Sequence, residues 1–192
     1  MIQLETERLI IRDPLLSDLN DWHRLLSDPD TMYYLQDIKT RSLYESRENL
    51  EAAVNDVQNP NRTKYFFTIE GKKPRKFIGS VGYTVTDTTP LGKSVWAGYF
   101  ILPEYHGKGY MTEAFQEVIR FAFENNDVYR ISTGCFSDNK ASERVMQKCG
   151  LIKEDGRDTC VLHDGCMKGR VEYRLLKDEW SLIYSDWTQN DN

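Results

Sequence analysis

Apolar positions along the chain follow two periods. Leu19, Trp22, Leu25 and Leu26 fall at helical spacing and predict a helix over 18–26. A second, more polar helix is predicted over 41–57, with Leu43, Leu50, Ala53, Val54 and Val57 on one side and Asn59-Pro60-Asn61 as its stop. Leu9-Ile10-Ile11 reads as a first strand, and Tyr65 to Ile69, Phe77 to Val85 and Val95 to Leu102 as three more. Between them, Glu70 to Pro74 is turn-like and Asp87 to Gly92 reads as a loop. The order then changes. A glycine-containing loop over 103–111 precedes Ala114, Phe115, Val118, Ile119, Ala122 and Phe123 at helical spacing. A strand over 128–136 and a helix over 139–148 follow, with Gly150 in the usual C-terminal place. Leu151-Ile152 begins a strand, and segments 159–163 and 170–176 flank a turn at Asp164-Gly165. A last short helix over 178–187 and a frayed tail over 189–192 complete the chain. With no repeat, low-complexity linker or composition break, the expectation is one mixed α/β domain over 1–192, its core over 6–178.

Composition narrows the function classes. The 192 residues are 40% hydrophobic and 12% aromatic, which suits one domain with a packed core. No apolar run approaches the ~20 residues of a membrane span. The acidic start, Met1 to Arg8, has no apolar signal region, so no membrane partner and a cytoplasmic location are expected. A net charge of −5 disfavours bulk nucleic-acid binding. Cys135, Cys149, Cys160 and Cys166 read as reduced thiols. Cys160, His163 and Cys166 are closely spaced but match no standard zinc pattern, so no metal is expected.

The chemistry concentrates in 100–114, a strand, a loop with Gly107 and Gly109, and an amphipathic helix. A helix start offers unpaired N–H groups and the positive end of the dipole. Glycines let the backbone approach a ligand closely. Together these suit a phosphate or pyrophosphate. The run is neither a Walker A loop nor a dinucleotide fingerprint, because Thr112 stands where the latter needs its third glycine. A tight turn without ligand is the plain alternative. In a second segment, Asn139 is a good N-cap and Ser142 falls in the first turn of a helix; taken alone, these are capping and a solvated hydroxyl.

The two segments, in this order, resemble the Gcn5-related N-acetyltransferase superfamily, and within it the RimJ/RimL-like ribosomal-protein N-terminal acetyltransferases. The resemblance covers nearly the whole chain. Its carriers are Thr6-Glu7-Arg8-Leu9-Ile10-Ile11-Arg12, Gly98-Tyr99-Phe100-Ile101, Tyr105 to Ala114, Asn139-Lys140-Ala141-Ser142 to Gly150-Leu151, and Leu175 to Trp180. It implies a twisted mixed sheet with two splayed central strands, flanked by helices. It also implies acetyl-coenzyme A as co-substrate and a primary amine as acceptor, either a small molecule or a protein N-terminus. Backbone N–H groups of His106, Gly107, Lys108, Gly109, Tyr110 and Met111, with Thr112 beside them, would hold the pyrophosphate. Phe100, Ile101 and Leu102 would pair with the pantetheine arm as an added strand would. Asn139 would bond the arm, and Ser142 would sit near the thioester sulfur as the catalytic donor to the departing thiolate. A main-chain N–H near Tyr99 to Ile101 would stabilise the oxyanion.

This chain departs from the pattern at three places. His106 stands where the loop usually begins with Gln or Arg. Met111 places a bulky side chain close to the phosphates. Trp96 stands where the branch often has Glu, so a carboxylate that could orient or deprotonate the amine is missing. Trp96 could instead join Trp22, Tyr33 or Tyr34 in an aromatic acceptor pocket, the alternative being core filling. The missing carboxylate also raises a non-catalytic acyl-coenzyme A binding module as the second reading. Homodimers are common among such enzymes, and nothing in the chain requires one.

Overall fold

The computed structural model describes residues 1–154, 160–163 and 165–189. They form two compact units, each assembled from separate stretches of chain: 1–84 with 98–118, and 85–97 with the residues from 119 onward.

The first unit holds β1 (Gln3–Glu5), β2 (Leu9–Arg12), α1 (Leu19–Ser27), α2 (Leu43–Val57), β3 (Lys64–Lys72) and most of β4 (Arg75–Thr89). It also takes the end of β5 (Gly92–Ile101) and the first half of α3 (Tyr110–Asn125). β1, β2, β3 and β4 pair antiparallel in chain order, and β5 lies next to β4. Two expectations change here. Glu70-Gly71-Lys72 belongs to β3, not to a turn, because Lys72 pairs with Arg75 and leaves only Lys73-Pro74 to reverse the chain. β1 was not expected; its Gln3 and Glu5 are exposed, and it is fixed by backbone pairing to β2 rather than by burial.

α1 turns Trp22, Leu25 and Leu26 into a core shared with Met32, Leu50, Phe77 and Leu102. This settles Trp22 as core filling: it is buried, and its indole N–H donates to Asn49 Oδ1 at 2.9 Å. Beneath α1 the buried Arg12 guanidinium donates to both oxygens of Asp18 at 2.8 Å and also to Glu70. The Asp18 bonds outweigh burial and raise the Arg12 pKa. Ions buried this way need every partner in place, which favours one arrangement of β2, β3 and the approach to α1.

The second unit contains the end of β4, the start of β5, β6 (Val128–Phe136), α4 (Lys140–Lys148), β7 (Ile152–Lys153), β8 (Cys160–His163), β9 (Cys166–Leu176) and α5 (Lys177–Gln189). Asp87-Thr88-Thr89, expected in a loop, extends β4. Hydroxyl bonds from Thr86 to Ser94 O and from Thr89 to Gly92 O, both 3.0 Å, tie this polar hairpin end together. β5 and β6 are parallel, so the chain must cross over between them, and α3 is that crossover. Their ladder runs from Lys93–Val128 to Trp96–Ser132. β9 pairs antiparallel with β6, β7 and β8. The elements are those of the mixed α/β class expected. Asp164, Thr159 and the 190–192 tail lie outside the described residues, so the turn expected at Asp164-Gly165 is seen only through the pairing of His163 with Cys166.

Candidate functional site

The glycine loop lies in the first unit. A short 3-10 turn at Pro103–Tyr105 ends β5, with proline at its start. His106 is engaged twice: its N–H donates to Pro103 O at 3.0 Å, and its ring Nε2 lies 3.0 Å from Ile101 O. The His106 N–H is thus directed back into the turn. Gly107 (φ 71°) and Gly109 (φ 79°) then take left-handed backbone. Space does not demand glycine at Gly107, where a Cβ would meet nothing within 4 Å. The dihedral does, at ~1–2 kcal/mol for other residues. The Glu113 N–H bonded to Gly109 O at 3.0 Å closes the first turn of α3. Gly107 to Met111 lie ahead of that bond, and their N–H groups have no acceptor among the described residues. N–H groups arranged this way have the chemistry that an anion cradle needs. Thr112 follows in the first turn, half-buried.

Met111 turns its side chain into the core: it is buried, on the same helix face as Ala114, Phe115 and Val118. The i, i+3, i+4, i+7 spacing already carried that signal.

What holds the loop was not foreseen. Glu113 accepts from the Thr6 hydroxyl at 2.5 Å, the Arg8 N–H at 3.0 Å and Arg8 Nε at 2.6 Å. Arg8 also donates to Lys108 O at 3.1 Å and places its guanidinium 4.5 Å above the Tyr110 ring. Burial alone would raise the Glu113 pKa, but these donors hold the carboxyl below its ordinary 4.5. Beside the loop is a pocket of about 160 Å³, with Arg8, Lys72, Lys73, Lys76, Tyr105 and Tyr110 in its lining.

The strand set needs refining. The Leu102 N–H donates to Ile78 O at 3.0 Å, and Phe100 O lies against Gly79, where a Cβ would come within 2.4 Å of it. Backbone groups alternate sides along a strand. Phe100 and Leu102 therefore direct theirs toward β4, while Tyr99 and Ile101 direct theirs away from it. Of the expected trio, Ile101 has the orientation that added-strand pairing requires, and Tyr99 joins it.

Asn139 and Ser142 lie in the second unit, brought together as the spacing predicted. Asn139 caps α4, accepting the Ser142 N–H on Oδ1 at 3.1 Å. Its Nδ2 makes no hydrogen bond among the described residues. The Ser142 hydroxyl bonds the buried Cys135 thiol, whose pKa burial pushes up to about 11 against the lowering effect of that bond. One residue further, Glu143 accepts from Lys140 at 2.8 Å and from the Tyr173 hydroxyl at 3.1 Å. Trp96, in the position of the missing carboxylate, is 38% exposed. In the first unit, Tyr33 and Tyr34 form an edge-to-face pair at 4.7 Å.

Residues 8–152 match the family described as Acetyltransferase (GNAT) domain. The chain is 24% identical over 187 residues to an uncharacterized N-acetyltransferase, YnaD, of Bacillus subtilis (strain 168), covering 94% of this chain and 100% of that protein. It is 22% identical over 184 residues to the [ribosomal protein uS5]-alanine N-acetyltransferase of Escherichia coli (strain K12), covering 94% and 93%. Among solved structures, spermidine N-acetyltransferase from Vibrio cholerae, in complex with CoA and spermine, superposes with a TM-score of 0.77 at 19% identity, covering 92% of this chain and 99% of that one.

Proposed function

Because the chain belongs to the GNAT acetyltransferase family, resembles its RimJ/RimL-like branch and is an acetyl-coenzyme A-dependent N-acetyltransferase, we propose that it acetylates a primary amine that arrives neutral, by direct attack in a ternary complex. The acceptor class is a protein N-terminus or a small amine. Relatives named for the alanine of a ribosomal protein and for spermidine support both halves of that class.

The observation that supports the mechanism is the place of Ser142 in the first turn of α4, where the Asn139 cap accepts its backbone N–H; the hydroxyl would turn from Cys135 to meet the sulfur. The amine nitrogen attacks the thioester carbon, and a C–N bond forms. The carbonyl oxygen becomes an oxyanion, met by the strand N–H of Tyr99 or Ile101. The C–S bond then breaks, and the thiolate leaves with Ser142 as hydrogen-bond donor; a serine hydroxyl is too weak an acid for full proton transfer. The proton released from nitrogen goes to water, since Trp96 stands where a carboxylate would have taken it. Much of the rate comes from holding the two reactants together. Backbone N–H groups of Gly107 to Met111 bind the pyrophosphate, with His106 and Thr112 flanking them. Asn139 Nδ2 is the donor assigned to the pantetheine arm.

The test is thiol release from acetyl-coenzyme A with a panel of peptides, polyamines and ribosomal proteins. With no protein base, the rate should rise tenfold per pH unit up to the acceptor's own pKa, ~7.7–8.0 for an α-amine and ~10.4 for a lysine-like amine. Release with no acceptor would defeat the acceptor assignment. A rate that levels off at a pH independent of the acceptor would reveal a protein base and overturn the neutral-amine mechanism.

A further inference from the structure

The basic pocket beside the loop is not used by anything above. Its lining holds four cationic side chains, Arg8, Lys72, Lys73 and Lys76, and no carboxylate. Arg8 and Lys72 are held in place: Arg8 by Glu113, and Lys72 by Thr6 O at 2.6 Å and Glu5 at 3.1 Å. Lys73 and Lys76 are exposed and have no ion-pair or hydrogen-bond partner among the described residues. Arg8 and Lys72 are compensated by Glu113 and Glu5; the charges of Lys73 and Lys76 are not compensated by any carboxylate among the described residues, which favours an anion at this cavity. Two aromatic walls complete it, Tyr105 and Tyr110, edge to face at 6.0 Å. Tyr110 is also the first residue of α3, so the pocket adjoins the loop assigned to the pyrophosphate.

A pocket of about 160 Å³ admits a phosphate with part of a sugar rather than a whole nucleotide. The geometry points to a phosphomonoester site, and we assign it to the 3′-phosphate on the adenosine ribose of the coenzyme. The assignment rests on the coenzyme reading of the neighbouring loop. The free phosphate dianion has the same chemistry, so the test must separate the two sources. A phosphomonoester loses its second proton near pH 6, while lysines stay charged, so the preference for the 3′-phosphate grows as pH rises through that region.

The experiment is calorimetric titration of the full chain with coenzyme A and with 3′-dephospho-coenzyme A, repeated on Lys73→Ala/Lys76→Ala. Both lysines are exposed, so an unchanged melting temperature is expected to show the fold intact. The unaltered protein should bind coenzyme A roughly five- to tenfold more tightly, as suits two screened surface charges. The double variant should bring the two ligands within about twofold, with dephospho-coenzyme A bound as before. An equal ratio in both proteins, or no preference in the unaltered one, overturns the assignment while leaving the coenzyme reading intact. Inorganic phosphate that blocks both ligands equally makes the pocket a free-phosphate site and also overturns it. If neither ligand binds, the coenzyme reading falls and this inference with it.

Discussion

The loop ahead of α3 and the start of α4 both present helix N-termini, yet they are built in opposite ways. The loop offers main-chain N–H groups, shaped by two left-handed glycines and braced by Arg8. Its own polar side chains are exposed (Lys108) or turned back on the strand (His106). The α4 start works through side chains, with Asn139 engaged in the cap and Ser142 against Cys135. A backbone site should tolerate changes of side chain and fail when a dihedral is altered. A side-chain site should do the reverse.

The largest expected contrast is at Ser142. Ser142→Ala should lower kcat about 100-fold while the coenzyme Kd stays within about twofold, as for loss of a positioned donor. An unchanged kcat removes Ser142 from the chemistry. Next comes Gly109→Ala, where the left-handed dihedral costs ~1–2 kcal/mol and should weaken coenzyme binding about tenfold. His106→Ala in the same titration should change Kd less than about threefold; equal losses would mean that the loop binds through side chains after all. Asn139→Ala removes a cap worth ~1 kcal/mol, a fall of ~2–4 °C in melting temperature. Asn139→Asp keeps the cap but not the Nδ2 donor, so it should restore stability while KM for acetyl-coenzyme A rises; a normal KM would leave Asn139 only its structural task. The smallest effect concerns Glu113. Its folded pKa lies below the ordinary 4.5, so its stabilisation is present above that value and lost as pH falls through the depressed one. Glu113→Gln should therefore cost under ~1 kcal/mol near neutrality, Arg8 being partly solvated, and the gap should close in acid as pH falls from the ordinary 4.5 through the depressed value. A gap that persists in acid would assign the loss to packing instead of charge.

Local signals were legible in the sequence and remote ones were not. The bounds of β6 and α4, with the Asn139 cap, match the residues read from strand alternation, cap and terminal glycine. Hairpin ends were cut short because Glu70 to Lys72 and Asp87 to Thr89 are polar residues held by cross-strand bonds, which no hydrophobic pattern encodes. Along β5, counting residues gave the segment, but only the Leu102–Ile78 bond fixed which carbonyls and amides face which way. The Arg8–Glu113 brace and the lysines of the β3–β4 turn were invisible for a simpler reason: they meet through the fold, not through the chain.

That brace carries a kinetic consequence. Arg8 and Glu113 are separated by 105 residues, so the loop acquires its final shape only after a long-range closure, which is slow to form. The same link ties its opening to the fraying of the N-terminal strands. In hydrogen exchange, the amides of Leu9 to Arg12 and those of the first turns of α3 should lose protection as one cooperative unit. Turnover could then be tuned from the first strand of the chain without altering any atom that meets the coenzyme.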